Sequence, residues 1–135
     1  YSVEVVNNIP SEIFFYSYIS DYQQILSNLI LNALHHGFDK TQQGTINIEA
    51  KENDDYIHLT VSDSGKGIDK NIINHIYTPF FTSTSRATGP GLGLSIVYNL
   101  VNQRFGGSIQ VQSEPGKGTC FTLDLPKERP KEYHI

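Results

Sequence analysis

The chain predicts an α+β fold, a two-layer α/β sandwich with helices packed on one face of a mixed, mostly antiparallel sheet. Three observations carry the expectation. Thr45–Lys51 with Tyr56–Ser62, and Ser108–Ser113 with Thr119–Leu125, alternate in polarity and are each joined by a short polar or Gly-rich turn. Such pairs read as antiparallel hairpins. Asp21–Gly37 and Leu92–Arg104 carry apolar residues at helical spacing. The resulting order is strand, helix, hairpin, loop, helix, hairpin, whereas a doubly wound fold would alternate strand and helix throughout.

Each element has its own signal. Val3–Val6 reads as a short strand stopped by Asn7, Asn8 and Pro10, and the aromatic-rich Ile13–Ile19 as a second, poorer one. In Asp21–Gly37, residues Ile25, Leu26, Leu29, Ile30, Ala33 and Leu34 form one broad apolar face. Ser20 with Gln23 has the form of a capping box at its start. Asn53-Asp54-Asp55 turns the first hairpin, Asp63–Asp69 is a Gly-punctuated loop, and Lys70–Tyr77 reads as a short helix. Thr78–Gly93, with two Pro, three Gly and no periodicity, is a long loop of the kind that serves as a functional lid or is disordered. Leu94, Ile96, Val97, Leu100 and Val101 mark the second helix, and Gly106-Gly107 supply its stop. Lys127–Ile135 is a polar tail, expected to fray.

The totals narrow the function. A chain of 135 residues makes one domain with a real core, and 38% hydrophobic with 18% charged residues suits a soluble globular protein. A net charge of −4 without any Lys or Arg run argues against nucleic acid or an anionic membrane as partner. The lone Cys120 fits a reducing, cytoplasmic setting. No apolar run approaches the roughly 18 residues of a membrane span. Because the chain starts at Tyr1 without Met, it reads as a piece of something longer.

Three places suit chemistry. Asn28, Asn32 and His35 share a polar sector of the first helix, one turn apart. They either touch solvent or offer carbonyl groups to a hard cation or ligand at a pocket rim. Asp63-Ser64-Gly65-Lys66-Gly67 is either a plain turn or a wall where a carboxylate, an acceptor only, takes an exocyclic amine such as that of adenine. Gly89-Pro90-Gly91-Leu92-Gly93-Leu94 enters a helix, where open N–H groups and the helix dipole favour phosphate. The spacing G-x-G-x-G is not the dinucleotide fingerprint, and Gly116-Lys117-Gly118-Thr119 leads into a strand and reads as a hairpin turn rather than a P-loop. The H-R-D and D-F-G elements of protein kinases are absent, and His35 and His36 lack companions at zinc spacing.

Four blocks in fixed order, NLILNALHHG, DSGKGID, YTPFFTST and GPGLGLSIVYNLV, resemble the N, G1, F and G2 boxes of the ATP-binding catalytic domain of bacterial sensor histidine kinases, within the GHKL (Bergerat-fold) superfamily. The ending FGGSIQVQSEPGKGTCFTLDLP resembles its closing hairpin, so the likeness covers residues 1–126 and leaves 127–135 as a tail. The resemblance implies Asn32 as Mg²⁺ ligand with Asn28 one turn earlier on the nucleotide side. It implies Asp63 as receiver of the adenine amine, Gly65 and Gly67 as the wall, and Thr119 as a helper in fixing the base. Phe80 and Phe81 would anchor the lid, Gly89, Gly91 and Gly93 would bring N–H groups to the phosphates, and Leu94 would line the pocket.

Some positions depart from the pattern. His35 stands where Lys or Arg is usual, which makes any phosphate contact there pH-dependent. His36 stands where Tyr, His or Phe commonly flanks the base, Pro90 replaces the usual Thr or Ser, and Thr84 takes a position often held by Lys, leaving Arg86 as the nearest cationic candidate. The resemblance implies a domain that binds Mg²⁺-ATP and presents the γ-phosphoryl group to a His on a separate dimeric helical domain of the same protein. The resemblance also implies a response regulator receiver domain as downstream partner, and the isolated domain is expected to be monomeric. A membrane anchor elsewhere in the parent stays open. Lacking the phosphoacceptor helices, this chain alone is expected not to autophosphorylate. Two alternatives stand beside this: a degenerate nucleotide-binding or docking module, and an ATP hydrolase. Hydrolases of the superfamily place a Glu four residues before the Mg²⁺ Asn, where this chain has Asn28, an amide that cannot take a proton.

Overall fold

The structure, a computed structural model, describes residues 2–8, 19–34, 43–78 and 93–127. Five strands, β1 (Ser2–Asn8), β2 (Gln43–Glu52), β3 (Tyr56–Asp63), β4 (Ser108–Glu114) and β5 (Gly118–Pro126), form one sheet in the order β1-β2-β3-β5-β4. The β2–β3, β3–β5 and β5–β4 pairs are antiparallel and β1 pairs with β2 in parallel, so the expected mixed sheet is present. Helix α1 (Ile19–Asn32) lies between the two parallel strands in sequence, as a crossover requires.

Alternation decides which side is the core. Residues opposite each other in an antiparallel pair face the same side. Ile48, Val61, Phe121 and Val111 make one such row, and Ala50, Leu59, Leu123 and Ile109 overlap it along the sheet. These rows join Tyr22, Ile25, Leu29 and Ala33 of the first helical segment and Val97, Val101 and Phe105 of the second in a single apolar cluster. Ile57, Leu59, Leu123 and Leu125 are fully enclosed. Truncating one of them to Ala would cost about 2–5 kcal/mol. The opposite face carries exposed Asn47, Glu49, Lys51, His58 and Thr122. There His58 Nδ1 pairs across strands with Asp124 Oδ1, both well exposed, and contributes little.

The apolar stripe of α1 is as expected: Ile25, Leu29 and Ala33 are buried, while Leu26, Ile30 and Leu34 pack at the cluster's edge. Its start differs, because the helix begins at Ile19 and Ser20 already stands inside the first turn, so no capping box with Gln23 forms. Helix α2 (Gly93–Asn99) continues as a π-helical stretch, Leu100–Phe105, instead of running as one α-helix to Arg104. Val101 and Phe105 of this stretch are both buried, and Gly106 ends it with φ of 67° and a backbone N–H to the Val101 carbonyl. Arg104 Nε lies 3.4 Å from Asp21 Oδ2, tying this end to the start of α1.

Lys70–Tyr77 is only a turn with 3₁₀ geometry at Ile73–His75. Its hydrogen bonds are short-range, such as His75 N–H to the Ile72 carbonyl, too few to propagate a helix. β1 runs further than Val3–Val6, through Asn7 and Asn8, because β2 supplies partners at Ile48 and Glu49. Lys127 is tied down at its N–H by the Asp55 carbonyl and at Nζ by Glu52, 2.8 Å away. The rest of the expected tail, and the expected strand Ile13–Ile19 up to residue 18, lie outside the described residues.

Candidate functional site

The same alternation that builds the core puts a polar row at one end of it. Ile46, Asp63, Thr119 and Ser113 are successive register partners on β2, β3, β5 and β4. All four therefore share the helix-facing side, one step beyond the row of Ile48, Val61, Phe121 and Val111. Thr119 is buried and Asp63 half-buried. A carboxylate at the end of an apolar face, rather than on the solvent side, is an expensive placement unless something pairs with it.

The loop after Asp63 is fastened on two sides. On the β2 side Ser64 N–H donates to the Thr45 carbonyl at 3.0 Å, and Thr45 N–H donates to Ser64 Oγ at 2.9 Å. On the other side it docks against the β4–β5 turn. Ile68 N–H donates to Ser113 Oγ at 2.7 Å, and Gly116 N–H donates to the Lys66 carbonyl at 2.8 Å. Two glycines make the approach possible. Gly67 has φ of 76°, and a Cβ there would lie 2.0 Å from the Glu114 carbonyl oxygen. Gly118 has φ of 83°, and a Cβ there would lie 2.0 Å from the Asp63 carbonyl oxygen. Each loop thus needs a side-chain-free residue where the other's backbone passes.

Asp63 Oδ1 accepts from Gly65 N–H at 2.9 Å. Burial pushes the Asp63 carboxyl above its usual value, and the hydrogen bonds from the Gly65 and Thr119 backbones pull it back only in part. The group is acceptor-only when ionised, so any further hydrogen-bond partner must be a donor.

On the helical side, Asn28 and Asn32 stand one turn apart on α1, both half-buried. Asn28 Nδ2 reaches the Gly93 carbonyl at 3.5 Å, so the polar sector of α1 meets the first residue of α2. Leu94 packs at the edge of the core. A Cβ on Gly93 would meet nothing within 4 Å, which leaves open space at the start of α2. Tyr77 lies beside Tyr98 of α2, ring centroids 4.8 Å apart. Burial, with Tyr98 adding to it, pushes the Tyr77 hydroxyl up to about 12, so it stays neutral and serves no proton transfer near pH 7.

Asp63, Gly65 and Thr119 are therefore joined by hydrogen bonds, with Gly67 in the same loop passing close to Glu114, while Asn28, Gly93 and Leu94 meet where α1 and α2 touch. His35, His36, Phe80, Phe81, Arg86, Gly89 and Gly91, with Thr84 and Pro90, lie outside the described residues. Sequence reasoning missed Ser113 and Gly118, which hold the loop in place. The signal for them was the hairpin register: a Ser opposite Thr119 across a five-residue connection shares its face, and a Gly beside that Thr permits a second loop to pass.

The sequence model of the histidine kinase-, DNA gyrase B- and HSP90-like ATPase family matches residues 18–129. The chain belongs to this family. This ATPase-family domain is 49% identical over 104 residues to sensor histidine kinase ZraS of Salmonella typhimurium, covering 76% of this chain and 21% of that relative. It is 38% identical over 106 residues to sporulation kinase A of Bacillus subtilis, covering 78% of this chain and 16% of that relative. The chain thus spans about a fifth of the length of the curated relatives it matches. Among solved structures it is similar to the catalytic domain of histidine kinase ThkA, at a TM-score of 0.76 and 26% identity, over 96% of this chain and 82% of that one. Full-length ShkA in complex with AMPPNP matches at a TM-score of 0.76 and 26% identity, over 92% of this chain and 25% of that one. The α+β Bergerat architecture expected from the sequence is the one found.

Proposed function

We propose that the domain binds Mg²⁺-ATP and presents the γ-phosphoryl group to a histidine on a separate helical domain of its parent protein, within a two-component pathway ending at a response regulator receiver domain. The observation that carries the reading is the Asp63 carboxylate, set beside Thr119 on the helix-facing side and raised in pKa by burial. An exocyclic amine of adenine donates there. Support also comes from family membership and from ShkA, a similar chain solved with an ATP analogue.

In this reading Gly65 and Gly67 shape the base wall, Thr119 helps to fix the base, and Leu94 lines the cavity. Gly93, with Gly89 and Gly91, offers N–H groups to the phosphates, Arg86 and His35 add positive charge, and His36 flanks the base. Phe80 and Phe81 anchor the intervening segment. Among the described residues no group of three or more His, Cys, Asp or Glu is placed to hold a metal by itself. Mg²⁺ takes few protein ligands and arrives with phosphate oxygens. Asn32 is the ligand proposed for it, with Asn28 beside the nucleotide. When bound, the cation neutralises phosphate charge, and the chain's own task is to position the nucleotide.

Asn28 favours transfer over hydrolysis: an amide one turn before Asn32 has no basic site to activate water. The test is phosphotransfer from radiolabelled ATP. The chain alone should remain unlabelled, and mixing it with the phosphoacceptor helical domain of its parent should label that domain on histidine. Substantial ATP hydrolysis by the chain alone would refute the assignment.

A further inference from the structure

Three contacts of one hydroxyl determine where two protons lie. Ser113 Oγ is 2.9 Å from the Gly118 carbonyl oxygen, 2.7 Å from Ile68 N and 2.8 Å from Thr119 Oγ1. A serine hydroxyl has one proton and two lone pairs. The Gly118 carbonyl has no proton to give, so the Ser113 proton is spent on it. The Ile68 amide can only donate, so it occupies one lone pair. The remaining lone pair faces Thr119, whose hydroxyl must therefore be the donor of the 2.8 Å bond. With its proton committed to Ser113, Thr119 Oγ1 has only lone pairs left for any other partner. Asp63, the next residue along the same row, is likewise acceptor-only when ionised.

We infer that Ser113 is a specificity-determining positioning residue. By taking the Thr119 proton it turns the Asp63–Thr119 end of the sheet into an all-acceptor surface, which accepts a purine carrying an exocyclic amine and refuses one carrying a carbonyl there. The inference rests on the adenine site proposed above and deepens it. Asp63 alone would favour an amine, but a freely rotating Thr119 hydroxyl beside it could turn its proton toward a carbonyl and forgive the wrong base. Ser113 removes that freedom. It makes no claim on the phosphates, so its effect belongs to base identity and not to overall grip.

The test compares ATP with inosine triphosphate, which differs at the relevant position by an oxygen for the amine. Both are titrated in the presence of Mg²⁺ against a fluorescent ATP analogue bound to the full chain. Wild type should prefer ATP. S113A should narrow the ATP-over-ITP ratio about five-fold, chiefly by improving ITP, the effect of one neutral hydrogen bond. S113T, which keeps the hydroxyl, should restore the wild-type ratio. Equal weakening of both nucleotides in S113A, with the ratio unmoved, would overturn the inference while leaving the adenine site standing. Wild type that binds neither nucleotide, or does not prefer ATP, would overturn the site itself. Should thermal melting show S113A unfolded, T119V carries the test. It lacks both proton and lone pairs at the same shape, so ATP should weaken, ITP should not, and an unchanged ratio would again overturn the inference.

Discussion

The two ends of the candidate site are built differently. At the base end, the loop after Asp63 is fixed by Ser64 and Thr45 on one flank and by Ser113, Gly116 and two close-passing glycines on the other. At the helical end, Asn28 Nδ2 of α1 donates to the Gly93 carbonyl of α2 at 3.5 Å, with open space among the described residues where a Gly93 side chain would stand. The first end is organised before any ligand arrives, so little ordering cost falls on recognition of the base. At the second, the Asn28–Gly93 hydrogen bond is long, and a side chain added at Gly93 would meet nothing within 4 Å. On the proposed function, recognition of the base falls to the fastened end and placement of the phosphates to the start of α2.

The contrast is most directly broken by alanine at one glycine from each end. Gly118→Ala forces a side chain into the Asp63 carbonyl at a positive φ, and the urea midpoint should fall by the equivalent of about 3–5 kcal/mol. Gly93→Ala meets nothing and starts a helix, so stability should change by no more than about 1 kcal/mol, upward. Equal effects would erase the distinction between the two ends. Next in size, Asn32→Ala should leave the ATP affinity measured in EDTA almost untouched while cutting the gain on adding Mg²⁺ by about ten-fold.

A smaller effect concerns Asp63 itself. Its raised pKa means that the folded chain holds this proton more tightly than the unfolded one. The group therefore adds stability below its unfolded pKa and loses that contribution as pH rises through the folded value. At neutral pH the ionised carboxylate is a burden on the free domain. Asp63→Asn should melt at or above the wild-type temperature at pH 7, and the difference should close as the buffer is acidified below the ordinary carboxylate range. A mutant clearly less stable at pH 7 would show that the loop depends on the charge.

Much of this was legible beforehand, for physical reasons. The hairpins announce themselves because a half-buried strand must alternate, and the same period carries Asp63 and Thr119 to the core side. The stripe of α1 is equally plain. What could not be read depends on neighbours remote in sequence. β3 lies beside β5, and only that adjacency brings Gly67 onto Glu114 and Gly118 onto Asp63. Ser113 looks like any strand serine until Ile68, 45 residues away, donates to it. Asn7 and Asn8 are poor strand formers held in β1 by β2. The π stretch after Asn99 has no signal in the local spacing, which reads as a continuous α-helix to Arg104.

The central claim is that the carboxylate at position 63 selects the base. Calorimetric titration of Mg²⁺-ATP into wild type and into folded Asp63→Asn tests it most directly. Wild type should give a saturable binding heat, and the variant should give none, a loss of at least about 100-fold in affinity. Equal affinities for the two proteins would contradict the account.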